Sequence, residues 1–426
     1  MNKQHYCKKN CEGDRRKKHL DNSATYFKLS STLTESNYDS SMTSKPLPEG
    51  DLEFLVENTG FNRVLIIQWR DLEDHDSGGS ELHSHKIAEI WAAHGIEVCF
   101  RTSAVKHADE KINRDGYTSV RSSGRFAVFA TAAFDLISGR LGKFDAVVEV
   151  WNGMPFMTPL LTRGPNMVFL HHQHGPLWEL ALPKPFAMTG RFIERKVAPF
   201  FYRETPVVTL SDSSREEISS VLGLNSKKIH VVEPGIDESF QFSNSKSQDP
   251  LVVVAGRLSP YKQIENVIST LEKVRTTIPN VKLEIIGDGP HEKNIRNFVT
   301  SLKDHSWISI NGRLSEEDLI NAYQRAWVAT SSSSSEGWGM TLTEAARCGT
   351  ASVASNIPGH MNSVSHGTSG FLFDNNDEYL SFLIPLLSSR ETAINVGEAA
   401  YNWSSQFTWK KTATESFRVL ASTKQS

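Results

Sequence analysis

Residues 331–349 read SSSSSEGWGMTLTEAARCG, and the punctuation of that stretch decides the fold. Ala326–Ala329 leads into it as a short apolar run, the pattern of a buried strand. Five serines, Gly337 and Gly339 then make a loop too polar and too rich in glycine to be a strand. Thr341–Cys348 follows with Leu342, Ala345 and Ala346 on one side of a predicted helix, and Gly349 stands where a helix stops. Ser352–Ser355 predicts the next strand. Strand, glycine loop, helix, strand is an arrangement that holds an anion, because loop amides approach oxygen closely and the helix N-terminus adds partial positive charge. Two acids, Glu336 and Glu344, bracket the loop. Thr341 and Glu344 also have the spacing of a capping box, so Glu344 has a structural reading beside a ligand-binding one. Glu336 has no such alternative, since a serine-rich loop needs no acid to fold.

The segment EGWGMTLTE resembles the E-x7-E motif of the retaining glycosyltransferases of family 4, two-domain enzymes of GT-B type. The resemblance implies that Glu336 contacts a donor sugar and Glu344 the nucleotide ribose. It also implies that Gly337, Trp338, Gly339 and Met340 hold the diphosphate between them. Upstream, LVVVAGRLSPYK places Arg257 and Lys262 around a strand-to-helix turn, where cations neutralise a departing phosphate. This is similar to the family's G-R-x4-K diphosphate clamp. Asn311, Gly312 and Arg313 end a predicted strand at the place where family members hold the base through backbone groups. Pro358-Gly359, Gly370 and the closing segment Phe407–Lys410 continue the pattern, whereas Asn362 stands where an acid is usual.

Working outward, Arg63–Ile67 predicts the first strand, and the acidic loop after it ends at Gly78 and Gly79. Those glycines resemble the family's N-terminal cleft loop. Asp74-x-Asp76 in the same loop matches the spacing of a metal-binding acid pair, but the family resembled uses no such pair, so no metal is expected. Ser80–His94 predicts an amphipathic helix through Leu82, Ile87, Ile90 and Trp91. Strands are expected at Glu97–Phe100, Ala146–Val150 and Met167–Leu170, the last followed by His171-His172-Gln173-His174-Gly175. Histidines at a strand end are ordinary loop or core groups in one reading. The resemblance implies that one contacts the donor sugar, with His171 first by position and His172 second. Neighbouring histidines point opposite ways and no carboxylate completes a metal set. Phe186–Tyr202 carries an apolar stripe, including Phe192 and Phe200, beside Arg191, Arg195 and Lys196. A core helix with a solvated basic side is the expectation, and a helix lying on an anionic membrane is the alternative. Gly287-Asp288-Gly289 lacks the third glycine of a dinucleotide fingerprint, because position 292 is Glu.

The chain has 426 residues, enough for two domains with their own cores. A net charge of −3 gives no global basicity that would point to nucleic acid. Four scattered cysteines, Cys7, Cys11, Cys99 and Cys348, form no disulfide framework, so a cytoplasmic location is expected, with the cytoplasmic face of the membrane as its alternative. Residues 1–58, with the basic cluster Arg15–Lys18, have no helical or strand period and are read as a disordered leader. The expected class is α/β, two Rossmann-like doubly wound parallel sheets facing a cleft. The first domain takes residues 59–247 and the second 248–399, with a last helix over 400–426 packing back on the first. The function implied is retaining transfer of a sugar from a nucleotide diphosphate to an acceptor hydroxyl in polysaccharide, glycolipid or glycoconjugate synthesis. Its partners would be the donor and a glycan, lipid-linked or small-molecule acceptor, with no cofactor and no nucleic acid. A nucleotide-sugar 2-epimerase of the same fold and a non-catalytic sugar-nucleotide-binding protein are the alternatives.

Overall fold

The structure, a computed structural model, describes residues 49–425 apart from 176, 177, 180 and 181. The basic cluster and both N-terminal cysteines therefore lie outside the described residues. The first domain runs α1 (Leu52–Thr59), β1 (Arg63–Ile67), α2 (Gly79–Ala93), β2 (Glu97–Thr102), β3 (Lys111–Arg114), β4 (Tyr117–Arg121), α3 (Val128–Ser138), β5 (Ala146–Val150), α4 (Thr158–Leu161) and β6 (Asn166–Phe169). It continues with α5 (Lys184–Phe192), a π turn at Ile193–Val197, α6 (Ala198–Phe201), β7 (Val207–Thr209), α7 (Asp212–Leu222) and β8 (Ile229–Val231). Its sheet has eight strands in the order β3-β4-β2-β1-β5-β6-β7-β8, parallel except for the β3–β4 hairpin. Val64–Ile67 and the whole of β5 are buried, as the continuous apolar runs of a parallel sheet covered on both faces require.

The second domain runs β9 (Leu251–Ala255), α8 (Ile264–Arg275), β10 (Lys282–Ile286), α9 (Glu292–Ser301), β11 (Ile308–Ile310), α10 (Glu316–Arg325), β12 (Val328–Ser331), α11 (Met340–Arg347), β13 (Ala351–Ser355), α12 (His360–Ser363), β14 (Gly370–Phe373), α13 (Asn376–Ser388) and α14 (Arg390–Ser404). Its six strands, in the order β11-β10-β9-β12-β13-β14, are all parallel. That is the doubly wound order, with its reversal between β9 and β12, where ligands of such sheets bind. The final helix, α15 (Trp409–Ser422), returns to the first domain, and Phe417 and Leu420 enter the core beneath α1 and α2. Trp91 of α2 donates its indole N–H to the Ala413 carbonyl at 2.9 Å. The turn at Gly235 touches the backbone of Thr408 and Trp409 so closely that a Cβ there would overlap it.

Three expectations fail. The stretch read as a leader does not extend to residue 58: α1 is capped by Asp51, whose carboxylate accepts from the Phe54 amide, and it buries Leu52 and Leu55. Its apolar residues meet α15, a partner nearly 360 residues away that no local window reveals. The capping box at Thr341 is absent, because α11 begins two residues earlier from Gly339 in a left-handed conformation (φ 97°). Third, the segment from Lys184 to Tyr202 buries its small residues, Ala187, Gly190 and Ala198, with Glu194 and Tyr202, and leaves Phe192 and Phe200 each 61 % exposed.

Candidate active site

The loops leaving β9 and β12 lie side by side at the reversal of the second sheet. The first carries Gly256, Arg257 and Lys262, and the second Ser333, Glu336 and Gly337. A small pocket is lined by Gly256, Arg257, Leu258, Lys262 and Ser331. Gly287 and Gly289 make this packing possible: both have positive φ, and a Cβ on either would overlap the carbonyl of Gly256 or Leu258. The Leu258 amide donates to the Asp288 carbonyl at 2.7 Å, and the Gly287 amide to Gly312 at 2.7 Å. The glycines that fail as a dinucleotide fingerprint thus serve a close backbone approach, and Asn311-Gly312-Arg313 stands directly behind it.

Lys262 donates to Glu336 Oε1 at 2.5 Å, and the Ser333 hydroxyl donates to the same oxygen at 2.7 Å. Both charged side chains are 15 % exposed. Burial is the largest influence and pushes the Glu336 carboxyl up, but the Lys262 charge, His360 and the hydrogen bonds from Lys262 and Ser333 together hold the group below its ordinary value. Burial is likewise the largest influence on Lys262 and opposes its charge, but Glu336 and Tyr261 together hold the lysine above its ordinary value. The two are a charged pair in the free protein. Immediately beyond, α11 starts from a glycine, so no side chain caps its first-turn amides, of which Leu342's donates to the Gly339 carbonyl at 3.0 Å. Trp338 turns its indole into the core against Phe407 (centroids 5.3 Å apart), which leaves only its main chain to the loop. Glu344, a turn inside α11, is half-buried and accepts from Tyr323 at 3.4 Å, and burial pushes its carboxyl up to about 7.

Elements of the first domain close over this edge. A Cβ on Gly79 would lie 3.1 Å from the Met340 sulfur, so of the two predicted cleft glycines Gly79 faces α11, whereas Gly78 has only Glu81 of its own helix nearby. Arg257 donates to Asp76 Oδ1 at 2.6 Å, while Arg125 holds Oδ2 at 2.6 Å. Asp76, weighed above as half of a metal pair, is thus occupied by guanidinium groups. Among the described residues no group of three or more His, Cys, Asp or Glu side chains is placed to hold a metal ion. The Ser214 hydroxyl donates to the Gly337 carbonyl at 3.3 Å, and the Gly359 amide donates to Ser213 at 3.1 Å.

The two candidate histidines part company here. His171 is 5 % exposed and turns inward, its Nε2 3.2 Å from Nδ1 of His83 on α2. Its side chain is a core group, which corrects the preference for it over its neighbour. His172 is half-buried beside the loop: its Nδ1 would lie 3.6 Å from a Cβ on Gly337, and the Glu336 charge acts on it. Burial is the larger influence and keeps His172 below its ordinary value, hence neutral.

Two groups the sequence reading missed shape the site. His360, at the start of α12, is fully buried and interacts with the Glu336 charge. Its Nδ1 is 2.9 Å from the Ser355 carbonyl, so Nδ1 carries the proton and Nε2, which has no partner, presents a lone pair. The Pro358-Gly359 turn before it was the available signal. Glu194, in the π turn, accepts from the His174 amide at 2.7 Å and the Trp178 indole at 2.8 Å, anchoring the loop that carries His172. Nothing local in its sequence marks it.

Residues 235–403 match the model of the glycosyl transferases group 1, and residues 77–240 that of glycosyltransferase family 4. The sulfoquinovosyl transferase SQD2 of Arabidopsis thaliana is 29 % identical over 180 residues, 41 % of this chain and 34 % of that protein. A D-inositol 3-phosphate glycosyltransferase of Corynebacterium efficiens is 28 % identical over 199 residues, 44 % of this chain and 47 % of the relative. These matches span a third to a half of the curated relatives. Among solved structures, sucrose-phosphate synthase from Thermosynechococcus elongatus superposes with a TM-score of 0.71 at 16 % identity, covering 83 % of this chain and 97 % of its own. HepE of Anabaena, solved with UDP and glucose, gives 0.65 at 18 % identity, covering 84 % and 99 %. The two family models together take in both sheets, and the chain belongs to the GT-B glycosyltransferases of the family 4, group 1 type.

Proposed function

We propose that this glycosyltransferase moves a sugar, with retention of configuration, from a nucleotide diphosphate to an acceptor hydroxyl of a glycan, lipid-linked or small-molecule substrate. The observation that carries the reading is the Lys262–Glu336 pair at the mouth of an uncapped helix. A diphosphate seated on the α11 amides would take Lys262 and Arg257 as counter-charges, releasing the Glu336 carboxylate to accept from sugar hydroxyls. As the donor bond breaks, negative charge grows on the leaving phosphate, and cations already in place stabilise it without reorganising. Attack on the same face leaves that phosphate oxygen to accept the acceptor proton, so no second carboxylate is required. His172 approaches the sugar from the first domain, and the His360 lone pair offers one more acceptor. Glu344 would hold the ribose.

Because two side-chain cations and a helix end already meet the diphosphate charge, the reading calls for no cofactor or divalent ion, and chelation should leave the rate unchanged. The buried free thiols Cys99 and Cys348 suit a reducing compartment such as the cytoplasm. The Anabaena relative HepE is solved with UDP-glucose, which makes UDP-sugars the first probes. The test is a thermal-shift panel of UDP-, GDP- and ADP-sugars, since a donor stabilises by RT ln(1 + [L]/Kd). One nucleotide series should stand out, and stabilisation by none of them would refute the reading.

A further inference from the structure

The outer face of the segment from Lys184 to Arg203 exposes four large apolar side chains, Phe186, Met188, Phe192 and Phe200. Its inner side is Ala187, Gly190, Glu194, Ala198 and Tyr202, all buried. At about 100° per residue, Phe200 would fall roughly 80° around the axis from Phe192. The π turn between them takes in one extra residue, which sets Phe200 back to within about 20° of Phe192. Met188, a helical turn before Phe192, joins them, so the π turn aligns one apolar ridge opposite the buried side. Met188 is 70 % exposed and both phenylalanines 61 %. Glu194 within the π turn is held by the His174 amide and the Trp178 indole.

Charge follows the same division. The segment holds five cations and a single acid, Glu194, which is buried, in a chain whose net charge is −3. Lys184, Arg195, Lys196 and Arg203 are exposed and none forms an ion pair among the described residues, while Arg191 meets only the exposed Glu179 at 3.1 Å. An apolar ridge flanked by exposed cations, four of them outside any ion pair among the described residues and one of these, Arg203, 5.0 Å over the Phe200 ring, fits a surface that is apolar beneath and anionic above. A solvated helix has no use for the ridge, and a protein interface would bury charge of one sign against it.

We propose that this face docks the first domain on an anionic lipid bilayer, with Met188, Phe192 and Phe200 entering the acyl boundary and the cations at the phosphates. The docked segment holds the His172 loop through Glu194, so it would bring the acceptor side of the cleft to the membrane surface. The docking is independent of the donor chemistry and can be tested without it.

The experiment is co-sedimentation of the full chain with phosphatidylcholine vesicles, pure or with about a third phosphatidylglycerol. The parent should bind the anionic vesicles, the pure ones far less, and added salt should release it. Phe192→Ser with Phe200→Ser should lower partitioning at least about tenfold. Arg195→Ala with Lys196→Ala should lower it about fivefold for each cation. Unchanged thermal midpoints confirm folded variants; should the apolar pair not fold, the surface charge pair carries the test alone. Equal binding of the parent to neutral and anionic vesicles, or to neither, overturns the proposal. So does undiminished binding by the variants, which would place the contact elsewhere, for example at the Arg15–Lys18 cluster. Light scattering that shows a parent dimer dissolved by the phenylalanine changes would make the face a self-interface and equally overturn it.

Discussion

Glu344 sits with its carboxyl beside Tyr323, pushed up to about 7 chiefly by burial. A folded value above the unfolded one means the native state holds the proton more tightly. Its contribution to stability is therefore full below about pH 4.5 and is lost as pH rises toward 7. Accepting ribose hydroxyls needs the charged form, so nucleotide affinity should have the opposite trend and weaken as pH falls below about 7. Glu344→Gln should flatten both trends, read by calorimetry and thermal midpoint across that range; an unchanged affinity profile would remove Glu344 from the ribose. Asp76 makes a second prediction. It holds Arg257 in the free protein, so a nucleotide diphosphate must compete for that guanidinium. Arg257 is 39 % exposed, which limits the competing pair to about 1 kcal/mol or less. Asp76→Asn should tighten nucleoside diphosphate binding by up to about fivefold, and weaker binding would mean that Asp76 assists the ligand. Residue types and spacing made Glu336 and Lys262 legible in the sequence, but their pairing across 74 positions was not. The choice between His171 and His172 depended on which face of β6 looks at the cleft, and two adjacent histidines do not disclose that.

At the scale of elements, strands and helices with one apolar face were the readable ones. α8 buries Ile264, Val267, Ile268, Leu271 and Val274 at the expected spacing. α2 is different, for it also buries His83, Ser84 and His85: His83 packs edge-on to Trp409 of α15, Ser84 donates to Gln68, and His85 stacks on Phe100 with its Nδ1 2.7 Å from the Tyr117 hydroxyl. The β3–β4 hairpin was overlooked although Asp115-Gly116, with Gly116 at φ 84°, is a hairpin signature. α1 depends wholly on a distant partner, so Leu55→Ala, which opens a cavity against α15, should cost about 2–5 kcal/mol of stability. A loss under about 0.5 kcal/mol in chemical denaturation would mean that α1 is not seated there. Gly287 ties two loops at the site, and Gly287→Ala should both destabilise the fold, by more than about 1 kcal/mol, and displace the Arg257 loop. Nucleotide affinity retained in the folded variant would show that the loop's position is unimportant.

For the whole molecule, the cleft is a product of two sheets whose reversal points are brought face to face by α15 and the turn at Gly235. The second domain was easier to read, since its ligand loops are short and glycine-marked, whereas the first holds its loops with buried polar groups. His83, His85 and His174 are each pushed down to about 3 by burial. A depressed histidine leaves the unfolded chain binding more protons below about pH 6.5, so stability is present above that pH and falls as the medium is acidified. Each adds up to about 1.4 kcal/mol per pH unit, outweighing the opposite trend of Glu344. The thermal midpoint should fall steeply from pH 6.5 to 5, and a flat profile would contradict the burial of these histidines.

The central claim is that Lys262 serves the donor diphosphate while Glu336 serves the sugar, although the two are paired at 2.5 Å in the free protein. Calorimetric titration of a bare nucleoside diphosphate into the parent, Lys262→Gln and Glu336→Gln tests it directly. Lys262→Gln should lose about 1.5–3 kcal/mol of binding, one charge-assisted contact. Glu336→Gln should bind the nucleotide as tightly as the parent or more so, because its lysine is no longer engaged by a carboxylate. Weakened binding in Glu336→Gln together with undiminished binding in Lys262→Gln would contradict the account.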